Sequence, residues 1–160
     1  MKLVKNTNML LACCVLVLVV LCWLSVQAPL KFDREQEKRE LAVKSRLLKI
    51  RVAEEHYCAK HGVYADDLKV LVKDGLLADS LRTIPFSDGK SFDLSTTTTI
   101  GKSGKQIPLM ECGATYEQYL KGLDENSVAN LIEEANNAGR YPGLKIGDIT
   151  EPNGNAGNWE

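Results

Sequence analysis

The sequence lacks any excess of basic charge. Lys and Arg number 20 against 21 Asp and Glu, a formal charge of −1. All 21 acidic residues lie after Ala28 with 18 of the 20 basic ones, so that stretch is acidic. A nucleic-acid-binding face must be basic, and that class is set aside. No internal repeat recurs, which excludes a solenoid. No nucleophile elbow, paired-cysteine motif or metal-ligand spacing brings Ser, His, Asp or Cys together, so no enzyme and no cofactor are expected. Gly101-Lys-Ser-Gly-Lys105 lacks the G-x-x-x-x-G-K-[ST] pattern and its following helix, and reads as a hairpin turn.

Charge is also missing from one long run. Met9 to Val26 is 18 residues without a charged side chain. At about 1.5 Å per residue it reaches roughly 27 Å, close to a bilayer's hydrocarbon core. A cleaved signal peptide is the competing reading, with Val26-Gln27-Ala28 as its cut site. The run exceeds the usual signal length of about 7 to 15, and Pro29 after the cut disfavours cleavage. The expectation is an uncleaved anchor over 9–28 after a short cytoplasmic N-terminus, 1–8. Trp23 fits an interfacial aromatic. Leu10-Leu11-Ala12-Cys13 comes too early in the run for a lipid-attachment site. Lys31, Arg34, Lys38 and Arg39 beyond the run would, on basic residues alone, hold the domain inside. A short basic N-terminus before a long apolar run nevertheless reads as an export signal, and the following domain is expected outside.

The remaining 132 residues suit one small domain. Asp33 to Glu40 is charged on every face and reads as a solvated helical stalk, 29–42. From Leu41 an apolar stripe appears at Val43, Leu47, Ile50 and Tyr57, with Leu48 and Val52 beside it, and Gly62 as the stop. Tyr64 to Lys73 reads as a second helix with Leu68, Leu71 and Val72 inward. Ser91–Ile100 and Gln106–Cys112 read as a β-hairpin. Tyr116 to Leu120 suggests a helical turn. Glu125 to Ala138 reads as a helix capped by Asp124, with Val128, Leu131, Ile132 and Ala135 inward and Gly139 as its stop. The expected fold class is α+β. A long N-terminal transmembrane-plus-amphipathic helix packs on a small antiparallel sheet with short helices, in a domain over 43–160.

Cys13, Cys14 and Cys22 sit in the apolar run as small apolar residues. Cys58 and Cys112 form an even pair in an exported domain, which suggests a disulfide. Two buried free thiols are the alternative. His56, Cys58 and His61 invite a metal reading, but helical steps of 2 and 5 residues point them apart. Asp148, Glu151, Asn153 and Asn155 could offer oxygen ligands to Ca²⁺, without the spacing of an EF-hand loop, and no metal is expected. The Gly/Asn-rich ending carries Ile146, Ile149 and Trp159, an odd cargo for a floppy tail. It is expected to pack back, with Trp159 as a plug and Tyr141, Asp148 and Trp159 as a partner surface.

The order apolar helix, amphipathic helix, then Ile50-Arg51-x-Ala53-x-x-x-Tyr57-x4-Gly62-x-Tyr64-x3-Leu68-x2-Leu71-x3-Gly75-x-Leu77 resembles type IV pilins and the pseudopilins of type II secretion. That likeness implies a helix half in the membrane and half on a small sheet, with self-association through the apolar half. No Gly-Phe-x-x-x-Glu processing site precedes the run, and no acidic residue lies in it. Pro29-Leu-Lys-Phe32, Ile50-Arg51, Gly62-Val-Tyr64 and the ending Gly139-Arg-Tyr-Pro-Gly-Leu-Lys-Ile-Gly-Asp148 to Asn158-Trp-Glu160 resemble single-pass envelope proteins of Gram-negative bacteria with no assigned activity. The two likenesses imply an inner-membrane, periplasm-facing structural or assembly component, bound to the lipid bilayer and to protein. The alternative is a tethered binding or adaptor module using the Gly/Asn/Trp segment.

Overall fold

The computed structural model describes the backbone of residues 2–101 and 104–160, and the side chains of all of these but 2–8 and 24–29. The side chains of the expected N-terminus, of residues 24–28 in the expected anchor, and of Pro29 lie outside the described residues. So do Lys102 and Ser103 of the expected turn. The chain divides into two units, Met1–Gln36 and Glu37–Glu160.

The first element is helix α1, Lys2–His61. Within Met1–Gln36 the large apolar side chains from Met9 to Trp23 are all 50–69% exposed. They form no one-sided stripe, since no turn is covered. Among the described residues no helix is long and apolar enough to cross a membrane.

In the second unit α1 behaves differently. Val43, Leu47, Ile50 and Ala53 are buried at helical spacing. Each fully covered Leu or Ile contributes about 1.5–3 kcal/mol of hydrophobic burial. Gly62, at φ 79°, donates its N–H to the Cys58 carbonyl at 2.8 Å and ends the helix. The expected solvated stalk extends less far than its charges suggest, because Arg39 turns inward. Its guanidinium donates to the Tyr119 and Lys121 carbonyls at 3.1 and 2.9 Å and stacks over the Phe86 ring. Arg46 likewise donates to the Ser80 and Thr83 carbonyls.

Helix α2 is Leu68–Lys73, shorter than the expected 64–73. Asp67 accepts the Lys69 N–H at 2.8 Å and so fixes the start at Leu68. The Ala65 N–H is already held by Glu54, which keeps residues 64–66 out of the helix. Leu68 and Leu71 are buried, while Val72 is only half-buried. A short 3₁₀ turn follows at Asp79–Leu81.

Strands β1 (Asp93–Ile100) and β2 (Gln106–Thr115) pair antiparallel in the register Ile100↔Gln106 to Asp93↔Gly113. The expected hairpin is present, and its second strand runs three residues longer. Helix α3, Tyr116–Tyr119, follows directly, with the Gln118 side chain accepting the Thr115 N–H at 2.7 Å. Helix α4, Glu125–Asn137, starts where Asp124 accepts the Ser127 N–H at 2.8 Å. Only Ala135 of its four expected inward residues is buried. Val128, Leu131 and Ile132 are half-buried, on a helix that neighbours α3.

Strand β3, Gly143–Gly147, was not expected and completes the sheet in the order β1-β2-β3. Glycines bound it because β2 passes so close. A Cβ on Gly147 would lie 2.1 Å from the Met110 carbonyl oxygen, and its φ is 72°. Between them Leu144 and Ile146 enter the core with Leu109, Met110, Cys112 and Ala114 of β2. The architecture of Glu37–Glu160 is therefore α+β: one helix flank, three shorter helices and a small antiparallel sheet.

Candidate partner-binding face

The C-terminal segment packs back on the sheet, as expected. Gly157 bridges Ile146, Gly147 N–H donates to the Ala156 carbonyl at 3.0 Å, and Asn158 N–H donates to the Lys145 carbonyl at 3.0 Å. Asn158 adds side-chain bonds to Lys145 N–H and the Gly143 carbonyl. The segment also reaches α1. Arg51 holds the Glu160 carboxylate at 2.9 Å and the Asn155 carbonyl at 3.3 Å, and Asn155 donates to the Tyr64 hydroxyl at 2.9 Å. Polar bonds, not apolar burial, fasten this ending, so a tail rich in Gly and Asn is ordered.

Those bonds place Trp159 between two cavities. The larger is an open groove of about 830 Å³. One wall is an α1 face with Leu41, Leu48 and Val52, and the other is Leu76, Leu77 and Leu81. Leu41 is 61% exposed and Val52 52% exposed, so these residues of the apolar stripe face the groove and not the core. Lys44 and Lys49 stand along it, with the Lys44 ammonium 5.8 Å from the Trp159 ring centroid. Beyond Trp159 lies a more polar cleft of about 430 Å³ that includes Glu40, Tyr116 and Tyr141.

Of the three expected partner-surface residues, Tyr141 and Trp159 thus share the smaller cleft. Asp148 does not line it. Lys145 links them, its ammonium 3.4 Å from Asp148, 2.7 Å from Glu111 and 5.8 Å from the Tyr141 ring centroid. The Thr150 hydroxyl and N–H hold Asp148's carboxyl down at about 2, with Lys145 adding to the effect. Burial pushes the Tyr141 phenol up to about 12. Asp148 is therefore a fixed anion inside its own ion pair, and Trp159 is the residue of the three with apolar surface to offer.

Cys58 and Cys112 are not joined. Both are free thiols, Cys58 half-buried near the end of α1 and Cys112 fully buried on the central strand. The expected disulfide is not formed, and of the alternative's two buried free thiols only Cys112 is fully buried. Burial raises both thiols' pKa, with the Glu54 charge adding to it. His61 stacks on Tyr57 at 4.3 Å and faces Asp74, apart from exposed His56. Among the described residues no group of three or more His, Cys, Asp or Glu is placed to hold a metal. Asn155, one of the residues weighed for Ca²⁺, donates its amide N–H to the Tyr64 hydroxyl at 2.9 Å.

One residue was missed. Glu54 is 0% exposed. One carboxyl oxygen accepts the Ala65 N–H at 2.9 Å, and the other has no hydrogen-bond partner. Burial lifts its pKa to about 7, opposed by the Ala65 bond and helped by Asp66. A signal existed: 43, 47, 50 and 54 are the helical spacing of the buried face, and a Glu there was the exception. Compared with protein-family models, curated proteins and solved structures, the chain matches none.

Proposed function

We propose that the chain is a membrane-anchored structural or assembly component of a bacterial envelope, not an enzyme, with Glu37–Glu160 facing the periplasm. The observation that carries this reading is the pair of uncovered apolar surfaces. One is the ring of exposed side chains from Met9 to Trp23. Water tolerates no such continuous exposed apolar patch without a partner. Lipid is the partner that accepts all sides of a helix at once. The second surface is the groove beside Trp159, which suits a protein partner. The pilin-like order of elements supports the same role, with contacts between copies along the apolar half.

Carbonate extraction of membranes, followed by a membrane-impermeant maleimide applied from outside to Cys58, tests the placement. The expected outcome is retention in the membrane and labelling from outside. Release by carbonate, or labelling only after the membrane is opened, overturns it. A second reading is a tethered adaptor, favoured by Trp159 standing at the junction of two cavities. Crosslinking from Val17 separates them, since ladders of self-adducts mark an assembly subunit and one different partner marks an adaptor.

A further inference from the structure

We propose that the groove beside Trp159 receives helix α4 of a second copy, an inference that rests on the assembly-subunit reading above. The groove's α1 wall runs from Leu41 to Val52, about 16 Å at 1.5 Å per residue. It is apolar along its floor and carries Lys44 and Lys49 at its edge. Lys49 is exposed and, among the described residues, takes part in no ion pair. An occupant should therefore be an amphipathic helix of similar length with acidic flanks.

The chain itself contains such a helix. Helix α4 has 13 residues, about 20 Å. Val128 and Ile132, at i and i+4, are only half-buried and Ala129 beside them is exposed, so an apolar strip is left partly uncovered. Glu125 and Glu133 flank it and are exposed. The cleft beside this strip, lined by Leu120 and Leu123, shares no residue with the groove. Each copy can therefore give α4 to one neighbour and accept α4 from another. Such a head-to-tail contact joins unlike surfaces and propagates into a ring or an open chain. The proposed contact sets Glu133 of the donated helix beside Lys49.

A photoreactive residue in place of Leu48, in the full chain reconstituted in liposomes, tests this. The expected product is a self-adduct of twice the 17.7 kDa chain mass, with the crosslinked peptide inside residues 125–137. Lys49→Glu should cut its yield about tenfold, as should Glu133→Lys, and the two together should restore it. Both positions are exposed, and circular dichroism of each variant confirms that the fold is kept. Adducts mapping elsewhere in a second copy, to lipid, or within one chain overturn the proposal, as does a double variant that fails to recover. A photoreactive residue at Val17 keeps the two ideas apart. Self-adducts there uphold the membrane-assembly reading whatever Leu48 returns, and their absence removes that reading itself.

Discussion

Residues 9–23 and residues 43–54 belong to one helix, yet sequence chemistry gives them opposite fates. The first stretch is apolar in every direction and every large side chain in it is exposed. The second alternates, so Val43, Leu47 and Ile50 are buried while Arg46, Lys49 and Arg51 reach other partners or solvent. Stability of the folded unit follows from pattern, not from apolar content. A stripe buries against a sheet and leaves polar groups outside, whereas a uniformly apolar cylinder finds no cover within its own chain.

The comparison is broken most sharply by paired truncations. Ile50→Ala removes a fully buried side chain and leaves a cavity, and should cost about 2–5 kcal/mol of unfolding free energy. Val17→Ala should leave the unfolding of Glu37–Glu160 unchanged. Urea denaturation followed by circular dichroism, corrected for the signal of the apolar half-helix, reads both. Equal losses from the two would show that the halves stabilise one another.

The paired truncations also mark what the sequence made legible. The stripe at 43, 47 and 50, the hairpin, and the caps at Gly62 and Asp124 all rest on local chemistry. Strand β3 did not. Its five residues are bounded by Gly143 and Gly147, which read as turn signals, and only the approach of β2 explains them. Leu41, where the stripe begins, and Leu48 and Val52 beside it line a groove that the sequence did not announce, because periodicity locates a face without saying what covers it. Cys58 and Cys112 form an even count, which says nothing about direction, and Cys112 points into the core. Tyr141 and Trp159 meet because of tail hydrogen bonds that no spacing rule anticipates.

Glu54 sharpens the comparison next, since it is the polar exception on the buried stripe. Its folded pKa of about 7 stands above the ordinary value of 4.5. Below pH 4.5 folded and unfolded forms both hold the Glu54 proton, and burying this side chain costs least. Between pH 4.5 and 7 the unfolded chain releases its proton while the folded chain keeps it, so stability falls. Above pH 7 the charge is buried and the loss levels off at roughly 2–3 kcal/mol. Glu54→Gln keeps an acceptor for the Ala65 N–H and cannot ionise. It should flatten this slope and be the more stable form at pH 8. Denaturation midpoints at pH 4, 6 and 8 check it, and parallel slopes for the two proteins would remove Glu54 as the cause.

Arg51 gives the smallest effect and tests the solvent side of the same helix. Its ion pair with Glu160 is partly exposed, and such pairs contribute about 0–1 kcal/mol. Arg51→Met should therefore barely move the global midpoint. It also removes the bond to the Asn155 carbonyl, and with it both of Arg51's ties between the C-terminal segment and α1. Because Trp159 is positioned by that segment, the local consequence should exceed the global one. Hydrogen exchange at the Gly147 and Asn158 amides, which bond across the Ile146–Gly157 bridge, should quicken several-fold while exchange at the central β2 amides holds. If β2 exchange rises equally, the tail belongs to the cooperative core, and the polar side of α1 contributes to folding as the apolar stripe does.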